Sequence, residues 1–201
     1  MFKKAKKILS VTLCLVMLGS TVIFSDSFVD DKSTSEAVKD SGFLFKVDGY
    51  IFKYENAPKE LKDRYDNTCK ELGIIPNSDS EIFVPMDEMY KYQKTYNLDD
   101  SISTYADFSI YFHNTYFEVT GSKNYKVYIT QYVGYGHETS GNSVHLVQLL
   151  LKRVGYSLDA DGLFGSDTYN KVRSFQSRYG LNSDGVVGIG TWNKFVDVLK
   201  L

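Results

Sequence analysis

The sequence predicts an α+β chain: a small α+β domain with an antiparallel sheet, followed by a compact three-helix bundle. Three observations carry this. Phe43, Phe45 and Val47, then Phe108, Ile110 and Phe112, then Tyr125, Val127, Ile129 and Val133 put apolar side chains at alternate positions, the period of a half-buried strand. Leu61, Tyr65, Cys69 and Leu72 recur at helical spacing instead. Finally, the pattern D-G-x-x-G-x-x-T occurs twice, at Asp161–Thr168 and Asp184–Thr191, 23 residues apart, and each copy opens a helix-period run.

The chain of 201 residues is long enough for one or two cored domains, and with 43% hydrophobic and 24% charged residues it is not a disordered chain. It opens with Lys3, Lys4, Lys6 and Lys7, then runs from Ile8 to Phe24 without a charge. That is the form of a secretory signal, expected over residues 1–25, with an uncleaved anchor as the alternative. Lipidation at Cys14 is not expected, because Leu13 precedes it where a small residue is needed. Losing residues 1–25 removes four lysines and no acid, taking the net charge from −2 to −6. An acidic protein is poorly suited to a phosphate backbone, so nucleic acid is excluded as the main partner. Cys69 alone remains, so no internal disulfide can form.

Residues 26–42 are polar and aperiodic and read as a linker. Residues 43–135 read as the α+β domain. Its first strands are expected as a hairpin turning at Asp48-Gly49 and returning through Tyr50-Ile51-Phe52. The helix of Cys69 follows, then a break at Pro76–Ser80, the short strand Ile82-Phe83-Val84, and a helix from Pro85 to Tyr96. Two further strands, around Phe108–Phe112 and Tyr125–Val133, are joined through Gly121–Asn124. Of the 16 tyrosines, thirteen lie between Tyr50 and Tyr135, as expected for side chains with an apolar body and a wet tip on a sheet.

Residues 137–201 hold the bundle. Val144, Val147, Leu151 and Val154 mark its first helix, stopped by Gly155; Val172, Phe175 and Tyr179 its second, stopped by Gly180; Trp192, Phe195, Val196 and Leu199 its third. Around these residues the sequence resembles the three-helix peptidoglycan-binding domain of bacterial cell-wall hydrolases. Val144, Gln148, Leu151, Gly155 and Tyr156 match its first helix, with Val147 in place of Leu. Asp161, Gly162, Phe164, Gly165 and Thr168 meet its first loop; Val172, Phe175, Gln176, Gly180 and Leu181 its second helix; Asp184, Gly185, Val187, Gly188, Thr191 and Trp192 its second loop and last helix. Ile189 departs from the pattern, where Pro is frequent. The resemblance covers residues 141–199 and implies non-catalytic binding to peptidoglycan, with the protein secreted and cell wall associated. Residues 43–133 are similar to the small α+β domain at the N-terminus of copper amine oxidases, through Val47-Asp48-Gly49-Tyr50 and Phe83-Val84-Pro85-Met86. That likeness implies no catalytic copper.

Stem-peptide carboxylates and amides suit the unpaired N–H groups of helix N-termini, which places candidate contacts at Ser166, Thr168 and Thr191. Asp161 and Asp184, at the loop starts, are candidates that also suit Asx turns, and Arg153, Tyr156, Tyr169 and Arg178 offer polar tips near the loops. No cofactor is expected. A cation loop around Asp159-Ala160-Asp161-Gly162 lacks the carboxylates it would need, so no metal is expected either. The alternative is a cell-wall hydrolase whose catalytic domain is residues 43–135. Cys69 with His113 would serve a cysteine peptidase, but Cys69 lies on an apolar helix face. His113, His137 and His145 are too dispersed for a zinc hydrolase, and Glu81, Asp87, Glu88 and Glu118 single out no glycosidase pair. In the binding-protein reading, the 43–135 domain faces an unidentified protein partner.

Overall fold

In a computed structural model, residues 42–96 and 102–200 are described. The expected leader, and the linker up to residue 41, lie outside them. Strand β1, Phe43–Lys53, is one continuous strand. The hairpin expected at Asp48-Gly49 does not form, because β1 is paired along both edges: Gly49 sits opposite Pro85 on one side and Ala106 on the other. A Cβ on Gly49 would lie 2.2 Å from the Val84 carbonyl oxygen and 2.7 Å from the Pro85 Cα. Glycine here admits a neighbouring strand rather than a turn.

Helix α1, Lys59–Leu72, buries Leu61, Tyr65 and Cys69 and ends at Gly73 in the left-handed conformation, φ 67°. Strand β2, Glu81–Pro85, follows, and helix α2, Met86–Tyr96, starts directly after Pro85. Strand β3 runs Ser103–Phe112, β4 Tyr116–Gly121 and β5 Tyr125–Tyr128. The sheet is antiparallel throughout, in the order β2-β1-β3-β4-β5. Strand β4 is absent from the sequence expectation, so Gly121–Asn124 joins β4 to β5 rather than β3 to its successor.

Helices α3, Asn142–Arg153, α4, Ser166–Arg178, and α5, Ile189–Leu199, follow. Phe175 of α4 and Phe195 of α5 stack with centroids 4.0 Å apart. One face of the sheet, with Phe45, Phe108, Ile110, Phe117 and Val119, shares a core with Val144, Leu146, Leu150 and Trp192. The Phe117 and Trp192 rings lie 5.4 Å apart, and the indole N–H donates to the Gln131 carbonyl at 2.9 Å. A second core joins Leu61, Tyr65 and Cys69 of α1 with Met89 and Tyr92 of α2, Phe52, Ile82 and Val84 of the sheet, and Leu163. Among the described residues the sheet and the last three helices thus pack as one unit around a shared core. Among the described residues no helix is long and apolar enough to cross a membrane.

Candidate functional site

The twin motifs fold into twin clasps, each closed by a buried glutamine from the preceding helix. Gln148 of α3 donates through Nε2 to Asp161 Oδ1 at 2.8 Å, the Leu163 carbonyl at 3.0 Å and Thr168 Oγ1 at 3.3 Å, and its Oε1 accepts the Gly162 N–H at 2.8 Å. Gln176 of α4 repeats the set on Asp184 (2.9 Å), the Val186 carbonyl (2.9 Å), Thr191 (3.2 Å) and the Gly185 N–H (2.9 Å). Asp161 and Asp184 each also accept a backbone N–H two residues on, at 2.9 Å, making the Asx turns. Burial raises the Asp161 pKa to about 6, against the hydrogen bonds from Leu163 and Gln148 that lower it. Thr168 and Thr191 are only 4% and 5% exposed. These candidate residues therefore face the loops they hold.

The two helix N-termini that follow differ. At α4, Glu71 of α1 accepts from the Ser166 N–H at 2.7 Å and the Ser166 hydroxyl at 2.9 Å, so a carboxylate of the chain itself fills the place foreseen for a ligand. The Thr68 side chain presses close to Gly165, 2.7 Å from where a Cβ would stand. The N-terminus of α5 opens instead on a shallow cleft of about 260 Å³ lined by Tyr132, Asn182, Asp184 and Gly190.

The other candidates are scattered. Arg153 lies over the Phe45 ring at 5.5 Å and, with Tyr156, lines a cleft of about 340 Å³. Tyr169 packs on Tyr135, centroids 5.2 Å apart, and covers Gly185; Arg178 lies exposed over Tyr179. The sequence-derived set is thus not one site. Nor are Cys69 and His113 joined. Burial raises the Cys69 thiol pKa, the reverse of what a nucleophile needs, while His113 stacks on Tyr116 and pairs with Glu118 at 3.0 Å. Among the described residues no His, Cys, Asp and Glu cluster could hold a metal.

One cleft was not foreseen. It has a volume of about 290 Å³ and lies where β2, the β4–β5 turn, the start of α3 and the first clasp meet. Phe83 and Phe108 form its apolar wall, and Asp79, Glu81 and Lys123 its charged rim, with Lys123 and Glu81 paired at 2.5 Å. Inside it stands His145, 8% exposed, its Nδ1 2.8 Å from the Tyr125 hydroxyl. Burial, with Lys123 nearby, lowers the imidazole pKa to about 3, so the ring is neutral. The signal was in the sequence, as His145 interrupts an apolar run, but its cleft partners come from distant segments.

Comparison with known proteins follows this division of the chain. Two family models match, one described as "Putative peptidoglycan binding domain" at residues 140–195, the other as "Putative peptidoglycan-binding domain" at residues 44–110. Among solved structures, one of a peptidoglycan-binding protein from Clostridioides difficile in complex with glutamine hydroxamate matches with a TM-score of 0.67. It is 35% identical, the match covering 78% of this chain and 96% of that one. No curated protein matches. The chain belongs to the peptidoglycan-binding domain family. The likeness of residues 43–133 to copper amine oxidases does not hold: one of the two features that carried it, a hairpin at Asp48-Gly49, does not form, and residues 44–110 match a peptidoglycan-binding model.

Proposed function

We propose that the chain is an exported, non-catalytic protein of the bacterial cell wall that binds peptidoglycan through a unit made of both matched segments. The observation that carries this is that the two family models fall on residues 44–110 and 140–195, which pack around one core. Export follows from the basic and then apolar opening of the sequence. The buried, proton-retaining thiol of Cys69 speaks against the cysteine-peptidase form of the hydrolase alternative.

The ligand surface fits the open clefts better than the clasp interiors. Of the residues foreseen, Arg153, Tyr156, Tyr169, Arg178 and Asp184 keep exposed or half-exposed side chains, whereas Thr168 and Thr191 act inward as clasp members. The C. difficile relative was solved with glutamine hydroxamate, an amino-acid derivative, which supports a ligand of stem-peptide chemistry over one of glycan alone. Incubating the full chain with purified sacculi tests the reading. The protein is expected in the pellet with no muropeptide released; soluble muropeptides would establish the hydrolase, and protein left in the supernatant would overturn wall binding.

A further inference from the structure

We infer that the cleft around His145 is a binding site for an α-amino-acid head group, carboxylate and ammonium on one carbon. Its size points first to this class. A volume of about 290 Å³ is at the lower bound of small-molecule pockets, with room for one amino-acid residue.

The donor pattern selects the carboxylate. Burial raises the Tyr125 phenol pKa, so the hydroxyl keeps its proton, and donating it to His145 Nδ1 gives that proton its partner. The neutral imidazole then carries its own hydrogen on Nε2, to which no protein hydrogen bond is made among the described residues. An imidazole N–H without a protein acceptor, on a largely buried ring lining a cleft that also holds the start of α3 at Gly141–Asn142, suits an anionic oxygen.

The rim selects the ammonium. Glu81 and Lys123 are each about two-fifths exposed and paired across the mouth. A lone anion taking Lys123 would leave Glu81 without its cation, and a lone cation would strand Lys123. A zwitterion opens the pair and gives each partner an opposite charge, with Asp79 adding to the ammonium side and Phe83 and Phe108 receiving the aliphatic carbons. Two sources supply such a head group: a free amino acid, or the unlinked end of a diamino acid in a stem peptide. The second source rests on the wall-binding reading; the head-group chemistry does not.

The test is a titration of the full chain followed by the ¹⁵N resonances of His145. Meso-diaminopimelate is expected to shift Nε2 saturably, propionate and ethylamine at the same concentration are not, and E81Q and K123M are expected to bind at least tenfold more weakly while melting like the parent. A stem tripeptide ending in diaminopimelate that saturates below the free amino acid assigns the site to the wall; tighter binding of the free amino acid assigns it to a soluble pool, and both support the head group. No shift with any probe, or undiminished binding by both variants, overturns the inference. Sacculus retention of the same preparation separates the two readings, since retention without a shift removes only the cleft, and a shift without retention removes only the wall.

Discussion

Gln176 satisfies four groups of the second loop with one side chain, and Gln148 does the same in the first. Truncation would leave the Gly185 N–H and the Val186 carbonyl without these bonds in a closed loop. Gln176→Ala is therefore expected to cost about 2 to 3 kcal/mol in a urea titration, and a variant within about 0.5 kcal/mol of the parent would remove the clasp from the account. His145 makes the second residue-scale prediction. Its folded pKa of about 3 lies below the ordinary value of 6.5, so the unfolded chain binds the extra proton between these limits, and stability is lost as pH falls through that window. Lys123, Tyr125 and the Asp161 loop are the groups facing it; Asp161, with its pKa raised to about 6, takes up a proton on folding and opposes the loss below that pH. The contrast with His145→Asn isolates the histidine: from pH 7 to pH 5 the parent is expected to lose about 2 kcal/mol more than the variant, and equal slopes would contradict a buried neutral imidazole. The glutamines and both D-G motifs were legible in the sequence. Their mutual bonding was not, since the spacing from Gln to Asp differs between the copies.

At the scale of elements, strand β1 shows why a local signal failed. Asp-Gly between alternating apolar residues is a strong hairpin cue, yet pairing on both edges outweighs it. Gly49→Ala places a methyl against the β2 backbone and is expected to destabilise by about 3 kcal/mol, whereas Gly190→Ala, in α5 with nothing within 4 Å, should be neutral or gain about 0.5 kcal/mol. Thermal melts of the two variants check this, and comparable melting points would refute the close-approach explanation. Strand β4 goes unread although Phe117 and Val119 alternate with Glu118 and Thr120; in helix α3 the spacing marks only Val144, Val147, Leu151 and Val154, whereas its residues from Ser143 to Leu151 are all buried. Its run Val144–Leu151 has little polar face, which marks a helix covered on all sides. What could not be read at all was the capping of α4 by Glu71, a contact across 95 positions of sequence.

Among the described residues, the inner face of the sheet is completed by the helices of the second matched segment. Arg64 of α1 adds a two-pronged ion pair to Asp159, at 2.6 and 3.0 Å, and Lys152 of α3 reaches Glu88 of α2 at 2.6 Å. Because Trp192 is the sole tryptophan and lies at the sheet–helix contact, its fluorescence reports the junction. In denaturant it is expected to change together with the far-ultraviolet dichroism in one transition, while an isolated 137–201 fragment, exposing Val144, Leu146, Leu150 and Trp192, should show none. Separate transitions in the full chain would contradict the shared core. The concentration of tyrosines in residues 50–135 follows from the same architecture, since residues 43–128 supply all five strands. Wall binding by this shared unit is read from a depletion isotherm of the full chain on purified sacculi. Sacculi are expected to deplete the chain saturably and cellulose not at all; a chain that stays in solution at every sacculus concentration does not bind the wall.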